Sequence, residues 1–229
     1  MQHGTSVSQW RRIDISPANF AYCQKTGGYF MDDVTTGDNT GSLVPMVADE
    51  DFSPVFKKSA ERVSKRVGMT ANNVRAMANS PELGATMRQF LDDVWDHGDL
   101  PKPMKALIRH KVSNINACLY CSAHQVKVMM SQGVSQEKID NMYDYRTHPA
   151  FSDKERAILA YAEALTIDAG AIQPDVIADF MAHTNDQERV EVAIVAASMG
   201  LLNRLNDGLR VPLEEPMLEI ASTITFEKD

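Results

Sequence analysis

From about residue 53 the chain repeats one pattern: apolar residues three or four positions apart, in runs opened by Ser, Thr or Pro and closed by Gly. That period belongs to helices packed through one face. "SPVFKKSAERVSKRVG" places Pro54 just inside a helix start and Gly68 at its end. "SPELGATMRQFLDDVWDHG" starts at Ser80 and Pro81, spaces Leu83, Met87, Phe90, Leu91, Val94 and Trp95 along one side, and stops at Gly98. Met104, Leu107, Ile108 and Val112 form the next stripe, and Gly133 is the expected C-cap of the helix after it. Ser152 followed by Glu155 reads as a capping box, while Ser135 is followed at the third position by Lys138 rather than Glu. No series of alternating β-branched strands interrupts this, and no glycine-rich phosphate loop follows a strand. The expected fold is all-α, with about seven to nine helices in a domain over residues 53–229. Residues 1–52 include "GGYFMDDVTTGDNTGSL" and read as a loop-rich arm.

Several function classes drop out. A net charge of -8 without a Lys/Arg cluster argues against a nucleic-acid grip. No apolar run reaches the roughly 18 residues of a membrane span, and the N-terminus lacks the apolar core of a signal peptide. The expectation is a cytoplasmic protein with no membrane or nucleic-acid partner.

Three cysteines, at 23, 118 and 121, are too few for a disulfide framework. Cys23 stands alone. Cys118 and Cys121 lie in "CLYCSAH", one helical turn and about 60° apart. Near a helix start, with Asn114 or Asn116 as cap, the free N–H groups would favour a thiolate. His124, one turn beyond Cys121, can take or hold a proton for that thiol. Three readings stay open for the pair: thiol redox chemistry, a metal site, and helical core. A zinc site needs a fourth ligand that only His110, His148 or His183 could add from elsewhere. His110, eight residues before Cys118, is a candidate second proton carrier. Glu163, Glu188 and Glu191 are candidate relay carboxylates if one faces the thiols. Tyr120 and Tyr143 read as packing, and Asn203, Arg204 and Asp207 as ties of the last long helix. No cofactor is expected, and the 13 methionines read as core.

"VSNINACLYCSAHQ", preceded by "LIRHK", resembles the active-site region of the carboxymuconolactone decarboxylase and alkylhydroperoxidase D superfamily. With "NRLND" and the flanking helices, the resemblance to the longer, peroxidase-related members covers roughly residues 75 to 215. It implies an all-helical chain assembling as a homo-oligomer of two, three or six copies. It also implies reduction of a small hydroperoxide through Cys121 and Cys118, with His124 as the motif histidine and an external dithiol as reductant. The family's decarboxylases lack the cysteine pair. A Cys/His metal-binding protein, a non-redox decarboxylase-like enzyme of the same fold and a non-catalytic oligomeric scaffold are the alternatives. Two departures from the family pattern stand out. His124 follows Cys121 by three residues where four are usual, which leaves Gln125 in the common histidine position. The relay glutamate expected about twelve residues before the first cysteine is replaced by Ala106, beside Lys105.

Overall fold

The computed structural model describes residues 41–226, so the arm up to residue 40, Cys23 included, lies outside the described residues. Among the described residues there is no strand. The α-helices are α1 (Pro54–Val67), α2 (Asn72–Met77), α3 (Pro81–Asp96), α4 (Lys102–Ile115), α5 (Leu119–Ser131), α6 (Gln136–Asp140), α7 (Asp153–Asp168), α8 (Pro174–His183), α9 (Asp186–Gly208) and α10 (Leu218–Thr223). Three of them, α2, α6 and α10, are only five or six residues long.

Several ends form as their sequence signals dictate. Ser53 accepts from the Phe56 N–H ahead of Pro54, and Gly68 and Gly133 close their helices with positive φ. Ser152 and Glu155 make the full reciprocal capping box. Ser80 is at the expected position but makes no side-chain cap bond. Asn185 and Glu188 form a second capping box at the start of α9. That gives Glu188 a structural duty, which it shares with an ion pair to Lys154 at 2.6 Å.

α4 is the axis of the fold. It packs on α5, α7 and α9, and most of its residues are buried on every side rather than along one stripe. Two lysines are therefore carried into the interior, and each needs a partner. Lys105 caps the end of α3, donating to the Val94 and Trp95 carbonyls at 2.9 and 3.3 Å and to that of His97. Lys111 pairs with Glu163 of α7 at 2.8 Å. Glu191 of α9 holds the α3–α4 turn, accepting from the Asp99 and Leu100 N–H groups at 2.9 and 2.8 Å. Gly98 is obligatory there, because its φ is +93° and a Cβ would stand 2.6 Å from the Glu191 carboxylate.

Residues 42–52, which the sequence reading groups with the arm, lie against the helical unit. The Leu43 N–H donates to the Leu209 carbonyl at 3.0 Å, and Val44, Met46 and Val47 pack on the core. At the other end the chain leaves α9, runs extended through Glu214, and returns as α10 to pack on α5.

Candidate active site

The cysteine helix does not begin as its sequence suggests. Asn116 ends α4 instead of capping α5, and Ala117 turns the chain with φ +52°. The Cys118 N–H reaches the Ser113 carbonyl and the Ala117 N–H that of Asn114, both at 3.0 Å. This is a Schellman closure with alanine where glycine is usual, at a cost of about 1 kcal/mol. Without a Gly or Pro at that point the break leaves no mark in the sequence. Its result is to make Cys118 the N-cap of α5, its sulfur accepting from the Cys121 N–H at 3.4 Å.

The two thiols are free, buried and hydrogen-bonded to each other. The Cys118 pKa is pushed up, first because its S–H donates to the Cys121 sulfur, then by burial and by the nearby Asp207 carboxylate. Cys121 receives a second donor, the Asn206 amide, at 3.2 Å. Cys118 therefore holds its proton. Asn206 and Asp207 come from the last turn of α9, which closes like α4: Arg210 has φ +53°, Val211 N–H bonds the Asn206 carbonyl at 2.9 Å, and Arg210 N–H bonds that of Asp207 at 3.1 Å. Asp207, on the same turn, is exposed.

His124 stacks on Tyr120 with ring centroids 4.3 Å apart. Its Nδ1 lies 2.8 Å from the Tyr120 carbonyl, which can only accept, so Nδ1 carries a hydrogen. Nε2 then faces Glu214 Oε2 at 3.0 Å, a close ion-pair contact that is poorly aligned as a hydrogen bond. Glu214 also accepts from the Tyr120 hydroxyl at 2.8 Å and from the Asn72 N–H. Burial alone would raise the Glu214 pKa, but His124, the Asn72 N–H and Tyr120 together bring it below the usual carboxylate value. Burial and the adjacent carboxylate keep the Tyr120 hydroxyl protonated well above its ordinary range. Tyr120, read from sequence as packing, is thus a donor in a buried Tyr–His–Glu cluster.

The remaining candidates lie in other bonds. His110 accepts at Nε2 from the Asn114 amide at 3.0 Å, and the Asn114 oxygen accepts from Ser122 at 2.9 Å. Burial lowers the His110 pKa to about 4, with the Ser122 carbonyl opposing and Lys111 assisting. The ring is neutral, and its bonds tie α4 to α5. Glu163 is held by Lys111, Arg146 and the Tyr145 hydroxyl, so with Glu188 and Glu191 already engaged, none of the three glutamates singled out from sequence is the one at His124. The carboxylate beside His124 is Glu214, 94 positions after Tyr120. Asn203 bridges Asn116 and Ser113, and Arg204 bonds the Gly200 carbonyl, as ties. His148 accepts from the Ala150 N–H, and His183 bonds within α8. Among the described residues no three His, Cys, Asp or Glu side chains are grouped to hold a metal ion. No helix among them is long and apolar enough to cross a membrane.

The carboxymuconolactone decarboxylase family model matches residues 81–164. A curated relative, the uncharacterized protein YnjA of Escherichia coli (strain K12), is 26% identical over 112 residues, which is 48% of this chain and 61% of that protein. The chain therefore spans about three fifths of that relative's length. Among solved structures, the debrominase Bmp8 in complex with 2,3,4-tribromopyrrole is similar with a TM-score of 0.75 and 20% identity, over 82% of this chain and 100% of that one. A peroxidase-related alkylhydroperoxidase AhpD core protein from Ralstonia eutropha JMP134 gives 0.69 and 18%, over 80% and 98%. A protein of unknown function from Agrobacterium tumefaciens gives 0.56 and 28%, over 59% and 93%. At 20% and 18% identity, the first two likenesses concern the fold.

Proposed function

From the match of residues 81–164 to the carboxymuconolactone decarboxylase family model and an all-helical fold similar to that of an alkylhydroperoxidase AhpD core protein, we propose that this chain reduces a small hydroperoxide through Cys121 and Cys118. One observation carries this reading: the Asn206 amide and the Cys118 thiol both donate toward the Cys121 sulfur, while Cys118 is held protonated. One thiol is set up as nucleophile and its neighbour as the group that resolves it.

Cys121 attacks the terminal peroxide oxygen, the O–O bond breaks, and the sulfur leaves as a sulfenic acid. The departing alkoxide takes a proton through the His124–Glu214 pair, which a titratable ring in contact with a buried carboxylate suits. The Asn206 side-chain oxygen Oδ1 makes no bond within the protein and offers an acceptor near Cys121 for the peroxide's own hydrogen. Cys118 then displaces hydroxide to form the 118–121 disulfide. Two electrons have passed from the thiols to the peroxide, and an external dithiol restores them. His110 positions α5 through Asn114 and Ser122.

The test is a thiol titration on metal-free protein with one equivalent of hydrogen peroxide, followed by intact mass. Loss of both buried thiols and two hydrogens is expected, and Cys121→Ser should abolish it. Thiols that survive hours of excess peroxide would sink the reading. Running 2,3,4-tribromopyrrole in parallel asks whether the same electron pair goes to a carbon–halogen bond instead.

A further inference from the structure

Glu214 lies in extended backbone, so no helix of its own fixes where its carboxylate points. The first turn of α2 does. The leading N–H groups of a helix have no partner within it, and an N-cap side chain usually takes one. Here the N-cap is Ala71, which makes no side-chain cap bond. The Asn72 N–H donates to Glu214 Oε1 instead, and the Asn73 N–H donates to the Tyr120 hydroxyl at 3.1 Å. That hydroxyl donates in turn to the same Oε1 at 2.8 Å. The Asn72 side-chain amide adds a bond to the Pro212 carbonyl at 3.0 Å, two residues before Glu214. Asn72 therefore grips the Glu214 stretch at two points. The carboxylate is divided between two tasks: Oε1 is anchored by Asn72 and Tyr120, and Oε2 faces His124 Nε2 at 3.0 Å. α2 is itself tied at both sides of its start by Asp49, which accepts from Thr70 Oγ1 at 2.7 Å and pairs with Arg75 at 3.0 Å.

We propose that Asn72 is a positioning residue for the proton-transfer pair, holding Glu214 by one oxygen so that the other meets His124. Its effect on rate rests on the thiol-redox reading above. Asn72 moves no proton itself and acts through Glu214. α5 presents His124 and Tyr120 to that carboxylate, and α2 presents the Asn72 amide. Burial pushes the Glu214 pKa up, while His124, the Asn72 N–H and Tyr120 pull it down. Losing the Asn72 donor should therefore let it rise.

The experiment compares the full chain with Asn72→Ala, which removes the Pro212 bond, and Asn72→Pro, which removes the N–H as well. Proline suits this position: Asn72 is the first residue of α2, and Ala71 already has the extended backbone, φ -70° and ψ 145°, that precedes a proline. Peroxide kcat/KM should fall about threefold in Asn72→Ala and about tenfold or more in Asn72→Pro. The acid limb of its pH profile should move to higher pH in Asn72→Pro. In a Glu214→Gln background the proline should cost nothing further, because the two changes act through one group. The Glu214 carboxyl carbon, followed by 13C NMR, should titrate at higher pH in Asn72→Pro than in the parent. Parental rate and pH profile in Asn72→Pro overturn the proposal. So does an equal loss of rate with and without Glu214, accompanied by a fall in Tm, which marks a structural role for α2. If the proline variant does not fold, Asn72→Ala is read by the same signals, and parental values throughout overturn the proposal. If the parent ignores peroxide, the peroxide reading fails and the NMR titration alone decides Asn72: an upward move supports it, an unchanged midpoint overturns it.

Discussion

Two glutamates in this molecule have nearly the same surroundings and different chemistry. Glu163 accepts from the Tyr145 hydroxyl at 3.0 Å and pairs with Lys111 at 2.8 Å and Arg146 at 2.8 Å. Glu214 accepts from the Tyr120 hydroxyl at 2.8 Å and pairs with His124 at 3.0 Å. Burial acts to raise both pKa values, and in both the partners win and bring them down. Each carboxylate therefore contributes stability above the ordinary carboxylate range and loses it as pH falls through its depressed folded value. The difference is the cation. Lys and Arg hold their protons throughout the physiological range, so Glu163 is locked. A histidine side chain, unlike Lys or Arg, is the kind of group that can give a proton up, and this is why the proposed reaction assigns proton transfer to Glu214 and its partner. Burial and a tyrosine do not make a relay; a titratable partner does.

The largest effect that tests this contrast is on stability. Glu163→Gln removes the negative charge paired with the buried Lys111 and should cost about 3 kcal/mol in denaturant unfolding, with turnover per folded molecule unchanged. The two buried histidines extend the comparison. His110 has no carboxylate partner and is held neutral down to about pH 4. The unfolded chain takes up that proton near 6.5, so stability should fall as pH drops from about 6.5 to about 4, by up to roughly 3 kcal/mol. His110→Gln should flatten that slope in urea titrations across the window. Glu214→Gln keeps acceptors for Asn72 and Tyr120 but removes the charge opposite His124. Its peroxide kcat/KM should fall about a hundredfold, with a smaller stability loss than at Glu163. Equal effects of the two glutamine variants on turnover would erase the distinction. Tyr120→Phe deprives Glu214 of a donor and the Asn73 N–H of its acceptor. A loss of about 1–2 kcal/mol and a rate drop under tenfold are expected by melting and steady-state assays. The smallest change is Ala117→Gly, which should relieve the left-handed turn and stabilise by about 1 kcal/mol. A lower rate of disulfide closure alongside that gain would show that alanine's stiffness helps aim Cys118.

Much of the helical frame was legible because its signals are local. Pro54, Gly68, Gly133 and the Ser152–Glu155 box each act within one turn of the residue they mark. The same logic contained a signal passed over in reading Glu188 as a relay candidate: Asn185 stands three positions before it and completes a capping box. The cysteine pair and His124 were legible because one helix presents them at fixed spacing. Glu214 was not. It lies in an extended stretch after α9 and reaches His124 only because that stretch folds back beside α5. Asn206 was equally hidden, since "NRLND" shows a helix end without saying which neighbour that end meets. The turn at Ala117 broke a helix without any residue that advertises a break.

The sulfurs themselves expose almost nothing: Cys118 is 0% and Cys121 2% accessible. A small peroxide can enter by side-chain motion, but a dithiol carried on another protein must approach one sulfur along the S–S axis. If the proposed redox cycle holds, re-reduction by such a donor waits on local opening of the helices that bury the pair. An opening free energy of about 2 kcal/mol would leave roughly one molecule in thirty reachable at any moment. Under those terms the turnover ceiling with a protein reductant is a property of how often the buried pair is uncovered, and the reactivity of the thiols sets only what happens once it has.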